Sequence, residues 1–353
     1  VIQSGWLAHG KYSERLEELF REFTGAKYAA TVSNCTAGLH LSCMAAGFGP
    51  GDEVIVPAQT HTATAHAVEY TGARAVFADV HPTTGNILVE EIERRVTPAT
   101  RGIIPVHMAG YPCDMDGIVS VCQRNDLLLI EDCAHALGTQ YKSTHAGNFG
   151  ISGNFSFYPT KQITTGEGGV VITNDQLVIE FINKHKAFGI DTPPEMRTRP
   201  GVYDVRGLGY NFRMTDFQAA LGAGQMERYR ANLERRQSNG RLYCELLSGN
   251  EYVEFPDYTN DNSYFLFQIL IKPPFDRDEI LFKLREAGVG VSIHYATPVP
   301  MMSYYRDKYG YTDDDFPNAM QFGSRVISLP VHSRLAEHDI DFVTDEVSKH
   351  LRR

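Results

Sequence analysis

Apolar residues recur at helical spacing from Tyr12 to Phe23, with Leu16, Leu19, Phe20 and Phe23 on one face and Gly25 just beyond the end. Tyr28 to Val32 is a short run of strand length, and Thr36 to Ala46 reads as a helix that stops at Gly47. Val54 to Val56, a helix from about Thr62 to Tyr70, and Ala75 to Phe77 then give strand, helix, strand. The alternation continues through a helical Glu90 to Arg95, a strand Gly102 to Val106, a helix near Met115 to Arg124 and a strand Leu127 to Ile130. Strands alternating with helices over such a length predict an α/β domain whose mainly parallel sheet lies between helices. In such sheets ligands gather at the carboxyl ends of the strands. Asp132, His107, Thr60 and the turn Ser33-Asn34-Cys35-Thr36 all fall just after predicted strands.

From Gln218 to about Leu247 the pattern is helical and rich in Arg, Glu and Gln, which predicts a long connector. Beyond it, Ser263 to Ile271 reads as a strand, Asp278 to Ala287 as a helix and Val289 to Ile293 as a strand. We therefore expect a large domain over 1–234 and a smaller α+β domain over 235–353. The sequence shows no internal repeat and no low-complexity segment.

Length and composition agree with this division: 353 residues, 42% hydrophobic and 22% charged, suit a soluble protein larger than one typical domain. A formal charge of −10 argues against non-specific binding to nucleic acid or an anionic membrane. No apolar run approaches a membrane span, and Val1 is not followed by the charged and apolar regions of a signal peptide. The six cysteines are scattered without CxxC spacing, as expected of reduced thiols. Together these features predict a cytoplasmic protein.

The chemistry concentrates in a few places. Lys161 lies in Phe155-Ser156-Phe157-Tyr158-Pro159-Thr160-Lys161, with Thr164-Thr165-Gly166-Glu167-Gly168-Gly169 close behind. A lysine among aromatics, hydroxyls and glycines, rather than on an open surface, suits a Schiff-base amine, which must reach its neutral form to attack. Asp132 ends the apolar strand Leu127-Leu128-Leu129-Ile130-Glu131. A lysine for an aldehyde and a carboxylate for a protonated pyridine are the two groups that pyridoxal phosphate chemistry most needs. Ser33-Asn34-Cys35-Thr36-Ala37-Gly38 is a strand-to-helix turn whose amides and hydroxyls suit a phosphate, although it also reads as plain N-capping by Ser33 or Asn34. Ser156 offers one more hydroxyl to the same phosphate, or is an ordinary strand residue. His135 is placed to reach the ligand that Asp132 holds, and His61 to stack on a flat ring; both also read as structural histidines. His61, His66, His107 and His135 lack a recognised metal spacing, so no metal is expected. The absence of GxGxxG after the first strand and of GxxxxGK[ST] anywhere argues against dinucleotide and P-loop chemistry.

With these residues assembled, the chain resembles the DegT/DnrJ/EryC1/StrS family of sugar aminotransferases nearly end to end. The likeness begins at Ser4-Gly5-Trp6-Leu7 and runs through Val56-Pro57-Ala58-Gln59-Thr60-His61, Glu131 to Gly138 and Phe155 to Gly169. It continues through Gly209-Tyr210-Asn211-Phe212-Arg213-Met214-Thr215-Asp216 to His294-Tyr295 and Ser328-Leu329-Pro330-Val331-His332. The resemblance implies a pyridoxal-phosphate enzyme of fold type I, passing through the pyridoxamine phosphate form and working as a homodimer with shared active sites. It implies that Lys161 binds the cofactor and shuttles the proton, that Asp132 holds the pyridinium, and that His135 stands where many relatives carry glutamine beside the ring oxygen. His61 takes a stacking position often filled by Phe, Tyr or Trp. Cys35, Thr36 and Ser156 match the phosphate cradle, and Asn211 matches a residue that reaches the phosphate from the partner subunit. Arg213 would receive the glutamate carboxylate, and Trp6, His294 and Tyr295 would contact the sugar. The implied reaction moves an amino group from L-glutamate to a keto-sugar, by default nucleotide-linked, for surface polysaccharide or an antibiotic. A free keto-sugar acid or aminocyclitol precursor is the alternative acceptor. Some relatives are dehydratases with histidine in place of the lysine, and lysine at position 161 favours transamination. A cofactor-free sensor that kept the fold is the rival outside enzymes.

Overall fold

The computed structural model describes residues 1–190, 199, 201–259 and 261–352. Twelve strands occur among them: β1 Tyr28–Val32, β2 Glu53–Pro57, β3 Arg74–Ala78, β4 Thr100–Ile103, β5 Leu128–Asp132, β6 Gln140–Tyr141, β7 Thr144–His145, β8 Ser152–Ser156, β9 Gly169–Thr173, β10 Val253–Glu254, β11 Phe267–Ile271 and β12 Val326–Leu329. The main sheet has seven strands in the order β1-β9-β8-β5-β4-β2-β3. Only β9 runs against the others, pairing antiparallel with β1 and β8. The expected mainly parallel, mixed α/β sheet is thus present. Its strands are apolar on both faces because both are covered by helices. One face carries α1 (Lys11–Thr24), whose Leu16, Leu19 and Phe20 pack with Phe155, Phe157 and Ile172. Gly25 ends that helix in the left-handed region, φ 76°, as its position in the sequence predicts.

Two further helices lead out of strand ends and bring residues to one edge. In α2 (Cys35–Ala45) the Asn34 side chain caps the helix by accepting from the Ala37 N–H, and in α3 (Thr62–Glu69) the His61 ring accepts from the Ala63 N–H. The strand predicted over Gly102 to Val106 stops at Ile103, because Pro105 has no N–H for the ladder. Its carbonyl still accepts from the Asp132 N–H at 3.0 Å, holding the end of β5 in place. On the same sheet lie α4 (Val89–Arg95), α5 (Met115–Asn125) and α6 (Gln176–His185).

The expected single connector is two helices, α7 (Asp216–Met226) and α8 (Tyr229–Leu247), broken at Glu227 and Arg228. Met226 and Tyr229, on either side of the break, are both buried in the core against the main sheet. The expected boundary at 234/235 falls inside α8, whose Tyr229 belongs to the main core and whose Tyr243 and Leu247 belong to the next. That second core lies on the antiparallel sheet β10-β11-β12, covered by α9 (Arg277–Glu286) and α12 (Glu337–His350). The predicted strand Val289 to Ile293 does not form: Ser292 makes only an isolated bridge to Ser328. Val291 and Ile293 are instead packed half-buried against the small core, which accounts for their alternation. Between these elements the chain returns to the large sheet. Val299, Met301 and Tyr305, the last in α10 (Ser303–Tyr309), pack with Val56 and Phe77, as does Ala319 in α11 (Pro317–Arg325).

Candidate active site

A cavity of about 640 Å³ opens at the carboxyl ends of β2, β5 and β8 and is closed on one side by the turn before Phe267 and by His294 and Tyr295. Lys161, Asp132, His135, His61, Cys35, Thr36, Ser156, His294 and Tyr295 all line it. Trp6, Asn211 and Arg213 do not. Trp6 lies exposed with its indole N–H donating to the His9 carbonyl. Arg213 donates to the Asn211 side chain and rests over the Phe188 ring, on the outer surface of its own chain.

Lys161 sits in the loop between β8 and β9. Its N–H donates to the Tyr158 carbonyl, and the neighbouring Gln162 side chain donates to the carbonyls of Leu137 and Ser263. Burial pushes the amine down to about 8, against the pull of Asp132 and Cys35. The Nζ atom stands 4.6 Å from the centre of the Phe265 ring, so this wall is apolar rather than wet. A lysine so placed reaches its neutral, nucleophilic form near physiological pH.

Asp132 is nearly buried at the end of β5. Its Oδ1 accepts from the Ala134 N–H at 3.0 Å and its Oδ2 from the Thr64 hydroxyl at 2.8 Å. Two donors fix its orientation. His135 stacks on Phe265 with centroids 4.4 Å apart, and its Nε2 lies 3.3 Å from the Tyr295 hydroxyl. Burial, with Lys161, His294 and His61 nearby, holds His135 well below the ordinary histidine range, so the ring is neutral. His294 is lowered to about 4 by burial and Lys161, and its Nδ1 is within reach of the Ser328 hydroxyl at 3.0 Å. Burial also lowers His61, against the pull of Asp132. The cavity therefore has neutral imidazole walls around Asp132 and Lys161, with the exposed Glu167 also lining it. Gln59 and Gln268 donate to the carbonyls of Tyr295 and His294 and hold that segment over the opening.

The residues present fit pyridoxal phosphate. Cys35 and Thr36 begin α2, so their N–H groups have no acceptor within the helix and face an anion site. Cys35 contributes there through its backbone, since burial raises its thiol far above the usual range and Sγ lies against the Asn154 carbonyl. Gly169 lets β9 approach this turn: a Cβ there would lie 2.8 Å from the Cys35 nitrogen. Nδ1 of His135 is a buried polar atom without a partner, as expected where a polar ligand completes the site.

Sequence reasoning missed Thr64, Phe265, Tyr158 and Glu167 as parts of this region. Thr60 precedes the N-cap His61 of α3 and Thr64 lies in its first turn, so two hydroxyls near a strand end were a usable signal. Phe265 comes from the second half of the chain and carries no local signal. Among the described residues one further cluster, His107, Glu131 and Cys133, brings metal-ligating atoms within 4.8 Å of one another. Both Glu131 oxygens are already engaged, by the N–H groups of Gly147, Phe149 and Gly150 and by His107 Nε2. His107 Nδ1 accepts from the Cys113 N–H, which makes the ring a neutral donor to Glu131. The cluster is a clamp on the segment leading into β8.

Comparison with known proteins agrees with this geometry. The chain is 37% identical to the spore coat polysaccharide biosynthesis protein SpsC of Bacillus subtilis, over 98% of this chain and 91% of that protein. It is 34% identical to the GDP-perosamine synthase of Escherichia coli O157:H7, over 99% of this chain and 93% of that one. The PMP form of Spr1654 from Streptococcus pneumoniae, a sugar aminotransferase also solved in a PLP form, superposes with a TM-score of 0.92. That match has 28% identity and covers 99% of this chain and 95% of the other. Residues 1–348 match the model of the DegT/DnrJ/EryC1/StrS aminotransferase family, and the chain belongs to that family of pyridoxal-phosphate enzymes.

Proposed function

We infer that this chain transfers an amino group from L-glutamate to a nucleotide-linked keto-sugar, yielding an amino-sugar for surface polysaccharide. The observation that carries the reading is Lys161, an amine lowered to about 8 in the cavity that Asp132 and the α2 N-terminus also line. The GDP-sugar and polysaccharide names of two relatives support the nucleotide-linked acceptor over a free keto-sugar acid or an aminocyclitol precursor. Lysine rather than histidine at position 161 supports transamination over dehydration.

When bound, pyridoxal phosphate supplies an aldehyde for an amine and a ring that takes up the electrons of a breaking C–H bond. Asp132 holds the ring nitrogen, His135 the ring oxygen, and His61 lies on the ring face. The N–H groups of Cys35 and Thr36 and the Ser156 hydroxyl hold the phosphate, joined by Asn211 of the partner subunit. Lys161 Nζ would hold the aldehyde and is the amine placed to remove a proton from the donor's amino-bearing carbon and to return one to the acceptor carbon. With His61, His135 and His294 neutral, the acidic and basic side chains lining the cavity are Lys161, Asp132 and Glu167. His294 and Tyr295 contact the sugar, while Arg213 for the donor carboxylate and Trp6 for the sugar lie outside their own chain's cavity and would act from a second subunit.

The enzyme works as a cytoplasmic homodimer. Trp6 and Leu7 lie exposed beside the start of α7, whose Phe217 and Leu221 are exposed one turn apart, an apolar face suited to a second copy. Among the described residues no helix is long and apolar enough to cross a membrane. The test is the visible spectrum of the protein with pyridoxal phosphate. A yellow band that bleaches with L-glutamate and returns with 2-oxoglutarate supports the reading; a band that glutamate leaves untouched refutes the donor. GDP-linked keto-sugars are the first acceptors to assay.

A further inference from the structure

Beside Asp132 lies a short line of hydroxyls, from Thr60 in the cavity wall to Thr64. Thr60 and Thr64 are buried, 1% and 0% exposed, and their Oγ1 atoms are 2.8 Å apart. Thr64 Oγ1 is in turn 2.8 Å from Asp132 Oδ2. A buried threonine hydroxyl in a helix ordinarily turns to a carbonyl one turn back. Here two successive hydroxyls point the same way, toward a carboxylate at the cavity floor.

The direction of this chain is determined. Asp132 presents only acceptors when ionised, and Oδ1 is engaged by the Ala134 N–H. Thr64 has one proton, and the nearby anion takes it. Thr60, facing an oxygen whose proton is committed, must donate to Thr64. The order is Thr60 O–H to Thr64 O–H to Asp132 carboxylate, and each bond polarises the next. With both of its oxygens accepting, Asp132 holds a shared proton poorly, so a proton between it and a bound pyridine nitrogen sits on the nitrogen.

We propose that Thr64, supported by Thr60, is a positioning residue that keeps Asp132 ionised and aimed, so that the ring nitrogen of the bound cofactor stays protonated. The proposal rests on the reading of Asp132 given above. Thr64 touches neither cofactor nor substrate; it acts through the carboxylate.

The experiment uses equilibrium binding rather than turnover. The full-length apo-protein is titrated by calorimetry with pyridoxal phosphate and with its 1-deaza analogue, in which C–H replaces the ring nitrogen. The wild type should prefer the nitrogen compound, and Thr64→Val, close in shape but lacking the donor, should narrow that preference by roughly tenfold, the scale of a lost hydrogen bond to a charged group. Thr64→Ser should restore it. Thr60→Val, which leaves the Thr64 donor in place, should narrow it by roughly twofold and keeps the question answerable if Thr64→Val does not fold. An unchanged preference in both valine variants overturns the proposal. Equal weakening of both compounds also overturns it, because that is what loosened packing alone would do. A wild type that binds both compounds equally refutes the role of Asp132 and this inference with it. A wild type that binds neither refutes the cofactor reading itself.

Discussion

Replacing Glu131 with glutamine removes one charge and one acceptor, and the structure says what each is worth. Oε1 accepts from the N–H groups of Phe149 at 2.7 Å and Gly150 at 3.0 Å, and Oε2 from Gly147 N–H at 2.7 Å and His107 Nε2 at 3.1 Å. The glutamine NH2 must occupy one of the two places. At the first it faces two backbone N–H groups; at the second it faces one, and His107. The ring cannot turn its lone pair toward the amide, because Nδ1 is already accepting from the Cys113 N–H. Either way two donors lose their acceptor in a fully buried site, and each costs about 1–3 kcal/mol. The expected loss is therefore about 2–6 kcal/mol, a large share of the roughly 5–15 kcal/mol typical of a folded domain. Urea denaturation of the apo-protein would measure it, and hydrogen exchange at Gly147, Phe149 and Gly150 would locate it. Stability within about 1 kcal/mol of wild type, set against that range, with undiminished protection of those three amides, would refute the reasoning.

Four further outcomes follow from the same structure. Lys161→Ala should keep the fold and abolish turnover, and substantial residual transamination in a coupled 2-oxoglutarate assay would remove its role. Asp132→Asn should leave the melting temperature close to wild type, since an amide oxygen can still accept from Ala134 and the Thr64 hydroxyl can reverse. Its rate of amino transfer should fall by about a hundredfold or more, the scale of losing a preorganised charge; a near-normal rate would sink the pyridinium assignment. Burial lowers the Lys161 amine from 10.5 to about 8, so between these values the unfolded chain holds more protons and stability rises with pH. Urea midpoints of apo Lys161→Met should therefore exceed the wild type most below pH 8, with the gap closing toward pH 10.5, and a gap constant with pH would contradict the shift. Gly240→Ala places a methyl about 2.1 Å from Tyr264 Cε1, inside α8. It should destabilise by about 1–3 kcal/mol or more, measured by thermal melting, and a melting temperature equal to wild type would contradict the close packing.

How much of this was legible depended on whether the signal was local. Tyr28 to Val32 reads as a strand because its apolar run is bounded by turns, and it is β1 to the residue. Asp132 reads as a strand-end acid from five neighbouring residues, and it is one. Val289 to Ile293 has the same alternation without the ladder, because periodicity reports which side chains are covered and not what pairs with the backbone. The break between α7 and α8 has no Gly or Pro to announce it, so the local sequence reads as one helix. Phe265 and Tyr295 reach the cavity only because the second half of the chain folds back over the first, and no window of sequence contains that contact. Trp6, Asn211 and Arg213 form a different case: they match the family pattern but lie outside their own chain's cavity, where a second subunit would have to bring them into use.

The one reversed strand has a consequence for how this cavity is assembled. The parallel connections from β2 through β3 and β4 to β5 each travel across a face, through a helix, before returning. β8 and β9 are neighbours in sequence as well as in the sheet, so the segment bearing Lys161 is a short loop closed by its own ladder. Closing a loop of this length forfeits little chain entropy and needs no distant partner. The attacking amine is thus mounted on a self-fastening cassette, while Asp132 and the aromatic roof over it wait for contacts made across most of the chain. Exchanging that cassette between relatives would transplant the reactive group without rethreading any crossover.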